Sequence, residues 1–303
     1  MNQPLVSVVI PTYNRGHTIG GAIDSVMQQS LTDLEIIVID DCSTDNTAAV
    51  IHSLSSQQVR YYRNDVNLRG GGSRNKGVTL ARGKFIAFLD SDDEWTPEKL
   101  ALQMELLMKC EKPYSSVCYS KLLVRRGEIE FATMDRGVGE REKVADYLFK
   151  QGGHIQTSSL LMSKALLMRC GFDEGLKKHQ DWDLVLRLEA IGAHFVWLEK
   201  PATIWYQNAH EIRVSDFVDT FGSRAWIERH KNHISKGAFF GFLALIVVPE
   251  LLKGKFPDRI RGCGLLTCAF LFRAVGAKQF LIGFAKMATP ALIIRLIKRL
   301  GLL

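Results

Sequence analysis

A short acidic segment, Asp90-Ser91-Asp92, contains the residue types best suited to chemistry in this sequence. Two carboxylates one residue apart can share a divalent cation, and their hard oxygen atoms suit Mn²⁺ or Mg²⁺. Such a cation commonly bridges the phosphate oxygens of a bound nucleotide. An acidic pair alone is a common pattern, but this one directly follows the apolar run Phe85–Leu89. Its position therefore predicts a metal and nucleotide site at the end of a buried strand.

Two further polar clusters follow strand-like runs in the same way. Pro11-Thr12-Tyr13-Asn14-Arg15 comes after one run, and Asp40-Asp41-Cys42-Ser43-Thr44-Asp45 comes after the next. Ligands of open parallel sheets bind beyond the carboxyl ends of the strands, so we expect the three clusters to meet at one edge. Each cluster alone could be turn and cap chemistry, because Asp, Ser, Thr and Asn favour both. Three clusters with a surplus of carboxylates indicate a binding site instead.

The elements that would position these clusters follow from the apolar pattern. Strand-like runs at residues 5–10, 34–39, 59–62 and 85–89 alternate with segments of helical spacing. This alternation predicts an α/β fold in which helices cover both faces of a parallel sheet. The chain of 303 residues is 47% hydrophobic and 23% charged, which excludes a disordered protein.

A glycine-rich stretch, Gly70-Gly71-Gly72-Ser73-Arg74, precedes a helix-like segment. It lacks the G-K-[ST] ending of a P-loop and the G-x-G-x-x-G spacing of dinucleotide-binding folds. We interpret it either as a flexible loop with a solvated arginine, or as a segment whose backbone and Arg74 approach a diphosphate.

Together these segments resemble glycosyltransferase family 2, a family of inverting enzymes with the GT-A fold. The resemblance covers about residues 4–215 and rests on the motifs Val8–Arg15, Glu35–Thr47, Ser73–Gly77, Phe88–Leu100, Gly171–Glu174 and Gln180–Leu184. The sequence departs from the family pattern at Cys42, where glycine is usual, and at Gln180, where glutamate is usual. The resemblance implies a Rossmann-like, mostly parallel sheet flanked by helices.

The resemblance also implies roles for individual residues. Thr12, Tyr13 and Asp41 would hold the nucleotide base, with Asp41 accepting a hydrogen bond from uracil. Asp90 would approach the ribose and Asp92 the Mn²⁺ or Mg²⁺ ion, although Asp93 could take one of these roles because the register is ambiguous. The expected nucleotide-binding residues are Pro11, Thr12, Tyr13, Arg15, Asp41, Arg74, Asp90 and Ser91.

Asp181 would be the catalytic base. Inverting transfer is a single displacement at the anomeric carbon, and it needs a carboxylate that removes the proton of the acceptor hydroxyl. It also needs positive charge on the departing diphosphate, which a metal ion supplies. Because Asp181 precedes a helical pattern, helix capping is the alternative role. His210 would contact the metal ion or the diphosphate, or else lie in a surface loop.

The C-terminal segment differs in composition from the rest of the chain. Residues 236–303 contain 11 Lys and Arg but only Glu250 and Asp258, whereas residues 1–235 carry a net charge of −2. Apolar runs broken by basic residues predict helices that lie on a membrane surface, the alternative being packing on the body or on a second subunit. We therefore divide the chain into a catalytic domain, 1–235, and a helical membrane-associating tail, 236–303. The catalytic domain has a nucleotide-sugar half, about 1–112, and an acceptor half, about 113–235.

The combined prediction is a metal-dependent hexosyltransferase in bacterial surface polysaccharide synthesis. It would move a sugar from a nucleotide-sugar donor, with a UDP-sugar favoured, to a hydroxyl of a lipid-linked or oligosaccharide acceptor. No secretory signal is apparent, so we expect a cytoplasmic protein, peripheral on the inner face of the cell membrane. Nucleic acid is disfavoured because long apolar runs separate the basic residues of the tail. The alternative is a catalytically silent partner that binds nucleotide or glycan within an assembly complex, although intact Asp92 and Asp181 argue against it.

Overall fold

The strand-like runs form one mixed sheet in the computed structural model, which describes residues 3–54, 58–207, 219–251 and 256–288. In chain order the strands are β1 (Val6–Thr12), β2 (Leu34–Asp40), β3 (Val59–Arg63), β4 (Phe85–Phe88), β5 (Glu94–Trp95), β6 (Ser116–Arg126), β7 (Ile129–Ala132), β8 (Leu160–Ser163) and β9 (His194–Tyr206). The helices are α1 (Ile19–Met27), α2 (Thr47–Ser53), α3 (Arg69–Leu80), α4 (Lys99–Met108), α5 (Val144–Lys150), α6 (Lys164–Cys170), α7 (Gln180–Ala190), α8 (Thr220–His230), α9 (Lys236–Phe242), α10 (Val248–Leu251), α11 (Phe256–Leu271) and α12 (Ala277–Ala288).

The first four strands form the parallel half of the sheet, in the order β3-β2-β1-β4. Along β1, Val9 lies opposite Ile37 of β2 and Phe88 of β4, and all three side chains are fully buried. Helices on both faces of a parallel sheet require such near-continuous apolar strands. Because these strands are parallel, the carboxyl ends of β1, β2 and β4 lie at one edge of the sheet.

The later strands extend the same sheet in the order β4-β8-β6-β9-β5, with β7 beside β6. β8 runs antiparallel to both β4 and β6, whereas β9 runs parallel to β6 and antiparallel to β5. The β6–β9 register shifts on both sides of Lys121, which lies opposite Pro201. A proline cannot donate a ladder hydrogen bond, which accounts for an irregularity at this point. The predicted α/β class, with a Rossmann-like parallel half flanked by helices, is confirmed.

Helix α3 contains the glycine-rich stretch for which a flexible loop was one expectation. Gly70, Gly71 and Gly72 lie in its first turn, and the helix continues to Leu80. The flexible-loop alternative was wrong because tertiary contacts outweigh the low helix propensity of glycine. A Cβ atom on Gly77 would lie 2.3 Å from Val9 Cγ1, so the missing side chain lets α3 lie directly on β1.

The chain separates into two compact units. The first comprises residues 1–138 and 154–212 and contains the sheet, and the second comprises residues 139–153 and 213–303. In the second unit, Phe149 of α5, Trp226 of α8 and Phe242 of α9 have ring centres 5.1 to 6.3 Å apart. The second unit thus joins residues 139–153 and 213–235 to the segment assigned to the tail, and the domain division made from the sequence stays a prediction. Among the described helices, none combines the length and apolar character needed to cross a bilayer.

Candidate active site

Thr12 and Asp41, the candidates for binding the base, lie together at the ends of β1 and β2. The Asp41 backbone N–H donates to the Thr12 carbonyl over 2.8 Å. Thr12 is buried, and its Oγ1 has no hydrogen-bond partner among the described residues. Such an unpaired hydroxyl is uncommon in folded proteins and calls for a partner at this edge. Pro11 lies in β1, and the adjacent Tyr13 is 48% exposed, which leaves its ring accessible to a ligand.

The Asp41 carboxylate is held by two donors that share one of its oxygens. Oδ1 accepts hydrogen bonds of 2.7 Å from Asn64 Nδ2 and from the backbone N–H of Leu68. Asn64 Nδ2 also donates to Ser73 Oγ over 3.0 Å, which connects the carboxylate to α3. No donor in the described part of the chain reaches Oδ2, so this oxygen is left to accept a hydrogen bond from a ligand.

Cys42 stands where the family usually has glycine, and its backbone explains that preference. Its φ is 71°, in the left-handed region that a residue with a side chain rarely adopts. The Cys42 thiol donates to the Asn64 carbonyl over 3.2 Å. This contact fixes the turn after β2 to the same residue that orients Asp41.

The loops after β1 and β2 are tied to each other. The backbone N–H groups of Asn14 and Arg15 donate to Ser43 Oγ and Thr47 Oγ1, each over 2.9 Å. Arg15 Nε then lies 3.9 Å from Asp92 Oδ2. Both side chains of this pair are partly exposed, so water weakens their attraction and an anionic ligand can compete for the arginine.

Arg74 of α3 joins the acidic segment to the downstream motif. One terminal nitrogen donates to Asp90 Oδ1 over 2.5 Å, and the other donates to Gln180 Oε1 over 2.9 Å. The guanidinium carbon lies 5.3 Å from the centre of the Phe172 ring, and the arginine is buried. A buried charge needs a counter-charge, which Asp90 supplies. The Nε atom of Arg74 is buried without a partner in the described chain.

The start of α3 is shaped to admit this contact. A Cβ atom on Gly70 would lie 2.8 Å from a terminal nitrogen of Arg74 and 3.0 Å from Gln180 Oε1. A Cβ atom on Gly71 would lie 3.2 Å from the Asp173 carbonyl oxygen. The glycines therefore permit a close approach between α3 and the segment that leads into α7.

The turn after β4 combines one buried carboxylate, Asp93, with two partly exposed ones, Asp90 and Asp92. Asp93 is buried, and its Oδ2 accepts hydrogen bonds from Ser158 Oγ over 2.7 Å and from Gln156 Nε2 over 2.9 Å. Ser158 Oγ in turn accepts the backbone N–H of Asp90 over 3.0 Å. Asp93 thus holds the turn in place, together with the buried Ser91, while the Asp92 side chain stays 21% exposed.

A buried lysine that was not predicted from the sequence lies next to this turn. Lys99 Nζ donates to Gln103 Oε1 over 2.7 Å and lies 4.0 Å from the centre of the Trp95 ring. The side chains of Trp95 and Gln103 donate to the carbonyls of Ser158 and Ser159, each over 2.8 Å. Burial lowers the pKa of Lys99 to about 7, because no carboxylate in the described chain compensates for the lost hydration.

Asp181 is the second residue of α7, which follows His179 in a left-handed conformation. Burial raises the pKa of Asp181 to about 6. The bond from the Trp182 N–H and the charge of Arg74 oppose this rise, whereas the charge of Asp90 adds to it. Asp181 therefore lies within electrostatic reach of the Arg74–Asp90 pair. A carboxylate with this pKa is ionised at neutral pH and basic enough to accept a proton.

Asp181 also has part of the helix-capping role that is the alternative to catalysis. Its Oδ1 accepts the backbone N–H of Trp182 over 2.8 Å, one of the amides that lack a partner inside the helix. Asp183 has a structural role, because it is buried and accepts a 2.7 Å hydrogen bond from Arg187 Nε. Arg187 further donates to the Gly171 carbonyl over 2.8 Å, which anchors α7 to the end of α6.

The donor atoms at the end of β4 fit a divalent cation. Asp92 offers hard carboxylate oxygens at a partly exposed position, which suits Mn²⁺ or Mg²⁺. Within the described ranges, no group of three His, Cys, Asp or Glu side chains could hold a metal ion. Coordination by one carboxylate together with substrate phosphates and water is common for Mg²⁺ sites. His210, the other predicted metal residue, lies outside the described residues.

Several residues that orient the site were not predicted from the sequence. Asn64 directly follows β3, as the predicted clusters follow β1, β2 and β4, so its position in the sequence could have predicted that it belongs to the site. Gln156 and Ser158 gave no signal, because they act through contacts with Asp93, more than sixty residues earlier in the chain.

Comparisons with known proteins agree with this architecture. The model of the family described as glycosyl transferase family 2 matches residues 7–170, which is more than half of the chain. The amylovoran biosynthesis glycosyltransferase AmsB of Erwinia amylovora is 30% identical over 255 residues, covering 78% of this chain and 81% of that protein. The UDP-Glc:alpha-D-GlcNAc-diphosphoundecaprenol beta-1,3-glucosyltransferase WfgD of Escherichia coli is 39% identical over 109 residues, 36% of this chain and 43% of that protein.

A solved structure shares the fold. The crystal structure of S. aureus TarS residues 1–349 in complex with UDP-GlcNAc aligns with a TM-score of 0.64 at 19% sequence identity, covering 98% of this chain and 92% of that one. The GT-A architecture implied by the sequence resemblance is thereby confirmed. With the family model across β1 to α6 and a relative matched over most of both chains, the protein belongs to glycosyl transferase family 2.

Proposed function

We propose that this glycosyltransferase moves a sugar from a UDP-sugar to a hydroxyl of a lipid-linked glycan in bacterial surface polysaccharide synthesis, with inversion at the anomeric carbon. The relatives support the substrate class, because one is named for transfer from UDP-Glc to a diphosphoundecaprenol-linked sugar. The observation that carries the proposal is the position of Arg74. Its side chain connects Asp90, at the end of β4, with Gln180, the neighbour of the basic carboxylate Asp181.

The nucleotide would lie across the carboxyl ends of β1 and β2. Asp41 Oδ2 would accept the uracil N–H, since Oδ1 already accepts two hydrogen bonds. Thr12 would supply the buried hydroxyl, and the exposed ring of Tyr13 would stack on the base. Asp90, fixed by Arg74, would accept a hydrogen bond from the ribose. Pro11, Arg15 and Ser91 complete the proposed nucleotide-binding set.

Asp92 would hold the metal ion that the family resemblance implies. A bound Mn²⁺ or Mg²⁺ would stabilise negative charge on the departing diphosphate. Arg15, whose Nε lies 3.9 Å from Asp92, adds positive charge on the same side. The buried contacts of Asp93 keep Asp92 in place without competing for the ion.

Asp181 would act as the general base. The acceptor oxygen forms a bond to the anomeric carbon while the bond from that carbon to the diphosphate oxygen breaks. The hydroxyl proton passes to Asp181, and the electron pair of the broken bond leaves with the diphosphate. With a pKa of about 6, Asp181 is mostly ionised at pH 7. The positive charge of Arg74 keeps that pKa from rising further.

We further propose that residues 236–303 hold the enzyme on the inner face of the cell membrane, where a lipid-linked acceptor would be met. The excess of 11 Lys and Arg over two acidic residues suits a leaflet with anionic headgroups.

Calorimetry tests the donor assignment. UDP, GDP, CDP and dTDP would be titrated with and without Mn²⁺ or Mg²⁺ against wild type, Asp92→Ala and Asp33→Ala. Asp33 is an exposed carboxylate just before β2, at the opposite edge of the sheet, so its variant controls for the loss of one negative charge. We expect metal-dependent UDP binding by wild type and Asp33→Ala, and at least a tenfold weaker affinity for Asp92→Ala.

Two results would contradict parts of this proposal. Preference for another nucleotide would overturn the UDP assignment while leaving the family unchanged. Failure of the folded protein to bind any of the four nucleotides would overturn the donor site and favour a catalytically silent partner. Asp181→Asn separates binding from chemistry, because it should retain UDP binding while sugar transfer falls at least a hundredfold.

A further inference from the structure

The turn that joins α11 to α12 exposes an apolar patch that the proposed active site does not use. Phe270 is 38% exposed, Leu271 70% and Phe272 40%, and in α12 Leu281 and Ile282 are exposed as well. Single apolar side chains are ordinary on a protein surface. Five large ones within residues 270–282, here called the α11–α12 turn, indicate an interaction surface.

The α11–α12 turn is a packed structure. Phe270 stacks on Phe280 with ring centres 4.7 Å apart, and Phe272 stacks on Phe240 of α9 with ring centres 5.2 Å apart. Leu271, between the two stacked residues, is the most exposed of the three. The apolar side chains are therefore presented on a defined backbone.

Positive charge surrounds these side chains. Arg273, in a left-handed conformation, and Lys278 are both exposed, and Lys236 Nζ lies 6.0 Å from the centre of the Phe272 ring. Arg273 also lines a groove of about 530 Å³ together with Lys150 of α5. From residue 259 to the end of the sequence there are eight Lys and Arg and no Asp or Glu.

We propose that the α11–α12 turn inserts Leu271 and its apolar neighbours into the headgroup region of an anionic lipid bilayer, while Arg273 and Lys278 bind the lipid phosphates. The inference rests on the proposed function and assigns its membrane association to one element. Apolar side chains can enter the boundary of the acyl chains while the flanking cations stay with the phosphate layer. Arg273 and Lys278 lie in a sequence segment that has no Asp or Glu after residue 258, and this local excess of positive charge is complementary to an anionic membrane surface.

Vesicle sedimentation with the full chain tests this assignment. Wild type would be mixed with vesicles of phosphatidylcholine alone, or with about one third phosphatidylglycerol, at low and high salt. We expect binding mainly to the anionic vesicles, and weaker binding at high salt because the cations are screened. Leu271→Asp should lower the partition coefficient at least tenfold. The matched control is Phe221→Asp, which makes the same kind of change at an 86% exposed residue of α8 and should bind like wild type.

Three results would overturn the inference. They are the absence of wild-type binding, equal binding by wild type and Leu271→Asp, and an equal loss in Phe221→Asp. Sedimentation velocity without lipid tests whether a second copy of this chain covers the turn instead. If wild type self-associates and Leu271→Asp is monomeric, a second copy covers the turn. Circular dichroism would verify that both variants fold. Since no donor or acceptor is present, failure here is distinguishable from failure of the glycosyl-transfer proposal, which the nucleotide titrations test.

Discussion

Gln180→Glu should move the acidic limb of the pH dependence of kcat/KM from about pH 6 to about pH 7. Gln180 Oε1 accepts a 2.9 Å hydrogen bond from Arg74, and the charge of that arginine stabilises ionised Asp181. Glutamate has nearly the same shape as glutamine, so the change adds a negative charge and keeps the contact with Arg74, although the 2.7 Å hydrogen bond from Gln180 Nε2 to the Leu176 carbonyl is lost, as it is in the methionine control. Repulsion from the new carboxylate and partial neutralisation of Arg74 both favour protonated Asp181, so both raise its pKa.

Coulomb's law sets the size of this shift. A unit charge roughly 7 Å from Asp181 contributes about 2 kcal/mol at an effective dielectric constant of about 20. Pairing with Arg74 cancels part of this energy, and we expect about 1.4 kcal/mol, or one pKa unit, to remain. At about pH 6 the ionised fraction of Asp181 then falls from about one half to about one tenth, which predicts roughly a fivefold loss of kcat/KM. Near pH 8.5 Asp181 is ionised in both proteins, and the difference should disappear.

Initial rates of sugar transfer between about pH 5 and pH 9 provide the assay. Gln180→Met is the control, because it removes the hydrogen bond to Arg74 without adding a charge, and its acidic limb should not move upward. An unchanged limb in Gln180→Glu, or a limb at lower pH, would refute the assignment of Asp181 as the titrating base.

Three further predictions concern stability. Because burial lowers the pKa of Lys99 from 10.5 to about 7, the unfolded chain binds one more proton than the folded chain between these values. In urea titrations, the free energy of unfolding of wild type should therefore rise by up to about 1.4 kcal/mol per pH unit above pH 7. Near pH 9, ionisation of the Cys118 thiol in the unfolded chain should oppose this rise. Lys99→Met should lack the rise. Because φ at Cys42 is 71°, the Cys42→Gly variant should be more stable than Cys42→Ala by about 1 kcal/mol in thermal unfolding. A more stable Cys42→Ala variant would contradict backbone strain at this position. Gly77→Ala should destabilise the protein by roughly 1–3 kcal/mol, because the new Cβ would lie 2.3 Å from Val9 Cγ1. Adding Val9→Ala in the same chain should recover part of this loss of stability. No recovery would show that the contact with Val9 is not the cause.

The parallel half of the fold could be predicted because its strands are buried on both faces. Such strands must be almost entirely apolar, so β1, β2 and β4 stand out, and polar residues directly after them mark the edge where ligands bind. The other half carries weaker signals. β5 has only two residues, and most of β7 is exposed, so neither strand shows a buried apolar pattern.

The contacts that orient the site could not be predicted, since they depend on residues far apart in sequence. Glycine opposes helix formation locally, yet Gly70 and Gly71 lie in α3 because a close approach to Gln180 and Asp173 needs their missing side chains. Lysine usually marks a solvated face, but Lys99 is buried. Its environment forms only when Trp95 and Gln103 are brought together.

The position of β4 has a consequence for synthesis on the ribosome. Phe85, Ile86 and Ala87 pair on one side with β1 and on the other with β8, which is translated about seventy residues later. At roughly 5–20 residues per second, this apolar strand is the open edge of the nascent sheet for several seconds. Unpaired apolar edges recruit chaperones or other chains. Ribosome-bound chains that stop before Leu160 should thus cross-link to chaperones more than chains that include β8, and equal cross-linking would argue against an exposed edge. The strand that would protect the parallel half of the sheet during translation thus belongs to its later, antiparallel part.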